Sequence, residues 1–524
     1  MISYPLRAAV LVLTTALAAA CVSVSPRGGE AQVKSLVAAA GTPYPDIAIR
    51  HDPRMVDART REILSVPLTS QAAIELSFLN NPRLASEFAR LQINQSDLVA
   101  ASRLQNPVLS ASRTDGGGSH ITIFGLSQNL SSLILLSARK RFAAGDYERA
   151  EASAAASIIN LAADVEQAWL RYVGAEQIAA MRAVIATSAD TSSELAERFY
   201  AAGNISELEL ALEHSAAAQA RIATTRAAAE ATRSKFALHQ LMGLTDEPKW
   251  SATLLLAAPI EATDALDELL ATAQARRGDL AAARQEVALL GDALHLAKRW
   301  RWLGTIDVGA ERDREQDGVR LTGPTLRLAL PIFDQGQAGI ARAEGQLTEA
   351  RSRLTALETE IGNSVRLNHA RVDASRVIAT QFVTLMNPAQ QIIVERQQQR
   401  ENFMFIGQFE LLLAKQQQYD AYQSYLEAVR DYWLARSDLA RATGGSLPSD
   451  ARIAPASIGV ETVIQPTEEP MGDMPGMKGM QHGGHEGHGG TTVHPSPATP
   501  DRIPTQQDEH AMHPMKPSGT GENR

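Results

Sequence analysis

The chain has 524 residues, a formal net charge of −9 and a composition that is 44% hydrophobic but only 5% aromatic. The acidic balance and the lack of a basic patch exclude a nucleic-acid partner. So few aromatic residues argue against a large globular core, which draws on aromatic surface, and for small side chains packed between helices.

The only cysteine is Cys21, so no intrachain disulfide can form. Arg7 precedes an apolar run from Ala8 to Ala20, which ends in small residues just before Cys21. A basic start, a short apolar stretch and a small-residue exit make an export signal over 1–20. The run is shorter than the roughly 20 apolar residues of a spanning helix. A cysteine at that border is similar to a bacterial lipobox, although Ala18 stands where leucine is usual and Leu17 lies one place back. That resemblance implies a lipid such as palmitate on Cys21. Val22, where an aspartate would signal inner-membrane retention, implies the outer membrane. The other reading is an ordinary secretory signal with an incidental cysteine.

Glycine and proline punctuate residues 21–70, which are expected to be an irregular tether and leader. Thr69-Ser70 offers an N-cap for a helix reaching about Leu104 and kinked near Pro82. Period-two alternation over 107–113 and 120–128 predicts two strands joined at Asp115 to Ser119. From Ala138 to Tyr200 there is no proline, which predicts one helix roughly 90 Å long. Its apolar stripe is Ile159, Leu161, Ala162, Val165, Ala168, Trp169, Tyr172 and Val173, spacing that means packing and not a cofactor box. Ala202 to Ser206 breaks this run, and Glu207 to Met242 returns antiparallel. Strands are expected again over 304–312 and 320–330. A second long helix runs from Ile340 to about Asn402, bent at Pro388. A break at Ile406 to Glu410 precedes a last helix to Ala442.

The two halves correspond. Leu84 in Asn80-Asn81-Pro82-Arg83-Leu84-Ala85 answers Leu280 in Arg276-Arg277-Gly278-Asp279-Leu280-Ala281. A period near 200 residues is too long for a solenoid and implies a duplicated unit over 71–243 and 268–443. The strands have the length of transmembrane barrel strands, roughly 9 to 11 residues. Two hairpins cannot close a barrel, and an open edge in lipid leaves backbone groups unpaired. If the strands lie in lipid, the barrel is shared between chains.

These segments resemble the outer membrane efflux protein family typified by TolC. The resemblance covers about 70–445. It rests on Asn106-Pro107, Gly125-Leu126-Ser127-Gln128, Gly323-Pro324-Thr325, Leu330-Pro331-Ile332-Phe333-Asp334-Gln335-Gly336-Gln337 and Arg198-Phe199-Tyr200-Ala201-Ala202-Gly203-Asn204-Ile205-Ser206. It implies a mainly α fold with membrane β: a homotrimeric channel tunnel in which four strands per protomer share one β-barrel and long antiparallel helices form a periplasmic α-barrel. It further implies a periplasmic adaptor docked at tips carrying Arg198, Gly203, Ser206 and Gly407, and an inner-membrane pump of the resistance–nodulation–division type. The second tip departs from the pattern, with Asn402 in the place of Arg198 and one residue fewer after Gly407.

Residues 447–524 lose all periodicity and are expected to be disordered. Within them methionine recurs at Met471, Met474, Met477 and Met480, followed by His482, His485 and His488; a second patch holds His510, Met512, His513 and Met515. Thioether sulfur selects Cu(I) and imidazole takes Cu(II), so this pattern points to capture of copper or silver. No other cofactor is required. The tail suggests outer-membrane lipoproteins of copper and silver efflux as relatives. No Ser/His/Asp arrangement, phosphate loop or paired carboxylate stands out, so a passive duct and not an enzyme is expected. His120, His214, His239, His295 and His369 are isolated. Three functions remain: a metal-ion duct, a duct for organic drugs with the tail a metal buffer, and a soluble periplasmic copper-binding coiled coil.

Overall fold

The computed structural model describes residues 28–41, 53–116, 119–244, 249–302, 304–314 and 318–464. Cys21 and every methionine and histidine of the tail named above lie outside the described residues.

The leader is not irregular throughout. Helix α1 (Glu30–Ala39) buries Val33 and Val37 in the main core, and α2 (Pro53–Leu64) buries Ile63. Glycine and proline punctuation hid these short helices, because they sit between the breakers.

The expected kinked helix is two helices, α3 (Ser70–Asn80) and α4 (Pro82–Ala101). Thr69 caps α3 by accepting from Ala72 N at 3.2 Å. The break is at Asn81, held extended at ψ 121°, the region a residue before proline prefers. Asn81 Oδ1 accepts from Arg83 N at 2.9 Å, and its Nδ2 donates to Leu241 O at 2.8 Å. One side chain thus caps the start of α4 and a carbonyl at the end of a distant helix.

Strands β1 (Val108–Gly116) and β2 (Ser119–Asn129) follow, each offset by one to three residues from its expected ends. Helix α5 (Leu130–Ile134) leads into α6 (Leu136–Ala201), whose 66 residues span about 99 Å. The apolar stripe read from sequence is buried along α6, with Ile159 half-buried. Helix α7 (Glu207–Leu241) returns along it.

Next come α8 (Leu266–Arg276) and α9 (Gly278–Arg299), separated at Arg277, which is extended at ψ 115°. Arg277 Nη1 donates to Ala442 O at 3.1 Å, the role Asn81 has at the first break. Leu84 and Leu280, one turn beyond each break, are both buried. Strands β3 (Ile306–Arg314) and β4 (Arg320–Leu328) precede α10 (Gln337–Gln381). The bend expected at Pro388 appears as a π turn over Phe382–Met386 before α11 (Asn387–Asn402). Proline removes one helical donor and its ring crowds the carbonyl four residues back; one widened turn relieves both. Helix α12 (Gln408–Thr443) closes this series.

The ordered body extends past the expected start of the disordered tail. A 3₁₀ turn at Pro448–Arg452 and α13 (Val460–Ile464) pack on the helices. Arg436 pairs with Asp450 at 2.5 Å, Ser449 Oγ donates to Asp264 at 2.5 Å, and Ile458 bridges Leu256. Local periodicity is absent here because these contacts are all long-range.

Asn81→Ala removes a helix cap and orphans a carbonyl, so we expect a loss of about 2 kcal/mol. Thermal unfolding of the purified protein in detergent should show a lower midpoint than the wild type.

Candidate channel wall and helical tips

The four strands form one antiparallel sheet in the order β1-β2-β3-β4. The seam between β2 and β3 joins the two hairpins, with Thr122 opposite Arg314 and Asn129 opposite Asp307. Its base is fixed by Ser131, whose Oγ accepts from Ile306 N at 2.7 Å and donates to Gly304 O at 3.0 Å. Asn129 Nδ2 also donates to Asp307 Oδ1 at 2.9 Å. Sequence alternation could not find this seam, since its partners lie nearly 180 residues apart.

Register assigns every strand residue to a face. One face carries Leu109, Phe124, Leu126, Val308, Leu326 and Leu328. All are exposed, Leu109 at 75% and Leu326 at 69%. Towards the hairpin ends the same face carries Arg113, Arg312, Arg314 and Arg320. The opposite face is mixed: it carries Ser110, Ser112, Gly125, Ser127, Thr325 and the acids Asp307, Glu311 and Asp313, with Arg327 paired to Glu311 at 2.9 Å, and also the exposed Val108, Ile121 and Leu321. Alternate positions of β3 are accordingly exposed on the apolar face and half-buried on the acidic one. Strands β1 and β4 are the sheet edges, and no further strand pairs with either among the described residues.

Helical turns join α6 to α7 and α11 to α12. In the first, Gly203 is left-handed at φ 74°, and Asn204 N donates to Phe199 O at 2.8 Å. Ser206 caps α7 in a reciprocal box: its Oγ accepts from Glu209 N at 3.2 Å, and Glu209 accepts from Ser206 N at 2.7 Å. The Ser206 backbone N–H, then its hydroxyl, holds the Glu209 carboxyl below the usual range. Arg198 lies exposed on the last turn of α6.

The second turn corrects the sequence alignment. Phe405 N donates to Arg400 O at 2.8 Å and Met404 N to Glu401 O at 2.8 Å, the pattern made by Asn204 and Gly203. The left-handed residue is therefore Met404, at φ 59°. Gly407 stands where Ser206 does, as the N-cap of α12, without a side-chain cap. Gln399, not Asn402, takes the place of Arg198, and the two turns have equal length. Matching glycine to glycine misled the alignment because the second turn puts methionine in the strained position. Phe403, Met404 and Phe405 form an apolar knob, 73%, 92% and 75% exposed. Phe199 and Phe409 meet edge-to-face at 5.9 Å, which brings the two hairpins together beside a cavity of about 260 Å³ lined by Ser192, Glu213, Phe409 and Leu413.

Beside the middle of α6 and the end of α12 lies a cavity of about 400 Å³, lined by Glu166, Arg436, Ser437, Arg441 and Asp450 together with apolar residues such as Ile74, Ile159 and Trp433. Ser437 Oγ donates to Glu166 at 2.8 Å, and Arg441 pairs with Asp164 at 2.6 Å. Burial pushes the Glu166 carboxyl above its ordinary range, against the Ser437 hydrogen bond that favours its charge. The groups ties α6 to α12; sequence periodicity does not reveal it, because its partners are some 270 residues apart.

Among the described residues, no group of three or more His, Cys, Asp or Glu side chains is placed to hold a metal ion. Of the isolated histidines, His214 meets Glu197 at 3.2 Å and His369 Nε2 lies 3.1 Å from Asp264 O. No described helix is long and apolar enough to cross a membrane.

No protein-family profile matches the chain, and no curated protein matches it. Solved structures do share its fold. The outer-membrane channel OprN is 17% identical, covering 77% of this chain and 94% of its own, with a TM-score of 0.60. CusC, described for its folding and transmembrane channel formation, is 16% identical over 73% of this chain and 93% of its own, with a TM-score of 0.58. The open-state MtrE outer-membrane channel of Neisseria gonorrhoeae is 17% identical over 72% and 89%, also at 0.58. OprN and MtrE are outer-membrane channels, and at these identities the likeness is one of fold.

Two outcomes follow from the site geometry. A raised Glu166 pKa means the folded state binds its proton more readily, so stability from this group is present at low pH and lost as pH rises. Glu166→Gln should therefore raise the unfolding midpoint at pH 7, and the difference should close below about pH 4, where the carboxyl is neutral in both states. Met404→Gly should stabilise the second turn by about 1 kcal/mol by removing left-handed strain, read as a higher thermal midpoint.

Proposed function

We propose that the chain is the outer-membrane subunit of a tripartite efflux system, a passive duct that carries copper or silver ions out of the cell. The observation that carries this reading is the four-stranded sheet with one exposed apolar face and two unpaired edges, set beside long antiparallel helices in a fold shared with outer-membrane channels. Lipid satisfies the apolar face. Edge strands in lipid need partners, so sister chains close the barrel: a homotrimer of four strands each, continued by an α-barrel of helices in the periplasm. Both halves of the chain supply a hairpin, a long helix and a return helix, consistent with duplication of one unit.

In this reading the tips carrying Arg198, Gly203, Ser206 and Gly407 meet the periplasmic adaptor, which links the duct to an inner-membrane pump. Arg198 gives the first tip a charge, while the second presents the Phe403–Phe405 knob. Cys21 carries the lipid anchor. The methionine and histidine tail captures the metal.

Cations are favoured over organic solutes by the face opposite the lipid. It presents Asp307, Glu311 and Asp313 against Arg327 alone among its strand residues, and acidic linings favour cations. A duct for organic compounds with the tail as a metal buffer is the second reading, supported by the fold alone.

Loss of the protein should lower tolerance to copper; unchanged copper tolerance with lowered drug tolerance would replace the metal reading with the second. Cys21→Ser should abolish palmitate incorporation. Removal of the tail must be made after Ile464, since residues up to there pack on the body. The shortened chain should still conduct in planar bilayers but lose Cu(I) to a competing chelator; equal Cu(I) retention would remove the tail from the proposal.

A further inference from the structure

The apolar face of the sheet ends in a cluster of arginines that the duct function does not use. Arg314 lies directly opposite Arg320 across the β3–β4 pair. On its other side Arg314 faces Thr122, which in turn faces Arg113. Arg312 follows two residues along on the same face. Like charges directly opposite each other destabilise a sheet. Among the described residues, the one acid ion-paired on this face is Asp115, held by Arg113 at 3.1 Å. Asp307, Glu311 and Asp313 belong to the other face and cannot neutralise the cluster.

The height of the cluster decides what can. From Leu328 to Arg320 is eight residues of β4, roughly 27 Å of strand, or about 20 Å along the membrane normal at a tilt near 40°. Exposed Leu330 and Phe333 extend the apolar band below it. The sum approaches the apolar band of about 25 Å found on outer-membrane barrels. The arginines then sit where hydrocarbon gives way to headgroups, on the side away from the helices. Guanidinium forks match phosphate oxygens in pairs, and an anionic headgroup between Arg314 and Arg320 turns a repulsion into a bridge.

We propose that Arg113, Arg312, Arg314 and Arg320 form a rim that binds the phosphate groups of an anionic lipid in the leaflet around the hairpin ends. The occupant is a lipid and not free phosphate, because the cluster is continuous with the apolar face that an acyl chain would cover. The inference rests on the membrane reading above and adds a lipid class to it.

The test uses the full chain, delipidated in detergent and returned to phosphatidylcholine vesicles with either bisphosphorylated lipid A or its dephosphorylated form. Flotation reports insertion, and native mass spectrometry of the re-extracted protein reports the lipid retained. Wild-type protein should retain the phosphorylated form about tenfold over the other. The triple variant R312Q/R314Q/R320Q should insert and show no preference, while Arg327→Gln on the opposite face should keep it. Insertion of wild-type protein without preference overturns the rim and leaves the membrane reading standing. Loss of the retained lipid from wild-type protein when inorganic phosphate is added before mass spectrometry overturns the lipid assignment. Should the triple variant fail to insert, the wild-type preference still decides, because it is measured without the variant. Failure of the wild type to float overturns both readings.

Discussion

Strands β1 and β4 each present a row of backbone donors and acceptors that nothing in the described chain satisfies. The same sheet turns Leu109, Phe124, Leu126 and Leu326 outward without cover. Water would satisfy the edges and penalise the apolar face; lipid would do the reverse. Only a surrounding that combines hydrocarbon on the face with further strands at the edges meets both demands. The assembly proposed above answers that conflict by pairing the edges with sister strands.

A sheet so exposed depends on the helices for its position. Ser131 and Asn129 bind the seam of the two hairpins where α5 leaves the sheet. Below it, two breaks set the angle at which the helices enter. Asn81 and Arg277, different in chemistry, each hold an extended backbone and each reach a carbonyl at the end of a return helix. The long helices then run past Glu166, Ser437 and Arg441, whose polar contacts join α6 to α12. Buried charge is an expensive way to join helices. The raised proton affinity of Glu166 records that cost, and it is the kind of cost retained where register between long uniform helices must be unique.

Much of this was legible from local pattern. Period two located all four strands to within three residues, and the Trp169–Tyr172 stripe marked the buried side of α6, because both signals arise from neighbouring residues alternating between two environments. Three features escape local pattern, each for its own reason. Helices α1 and α2 were hidden by flanking prolines, and the packed segment from Pro448 to Ile464 lacks periodicity because Asp450 and Ile458 answer to residues far away in the chain. Sequence misaligns the second tip because glycine usually marks a left-handed turn, whereas Met404 occupies it here. Of the candidate site residues, Arg198, Gly203 and Ser206 lie together at one turn, and Gly407 starts a helix.

The sequence by itself determined the four strands, the long helices and their order, since these depend on propensity and periodicity over a few turns. It also marks the methionines and histidines of the tail as candidate soft-metal ligands, a chemistry that needs no fold to be recognised. Tertiary structure alone decided that β2 pairs with β3, which face of the sheet is apolar, and that four arginines share its rim. Those facts depend on register between strands nearly 180 residues apart, and a shift of one residue would exchange the two faces.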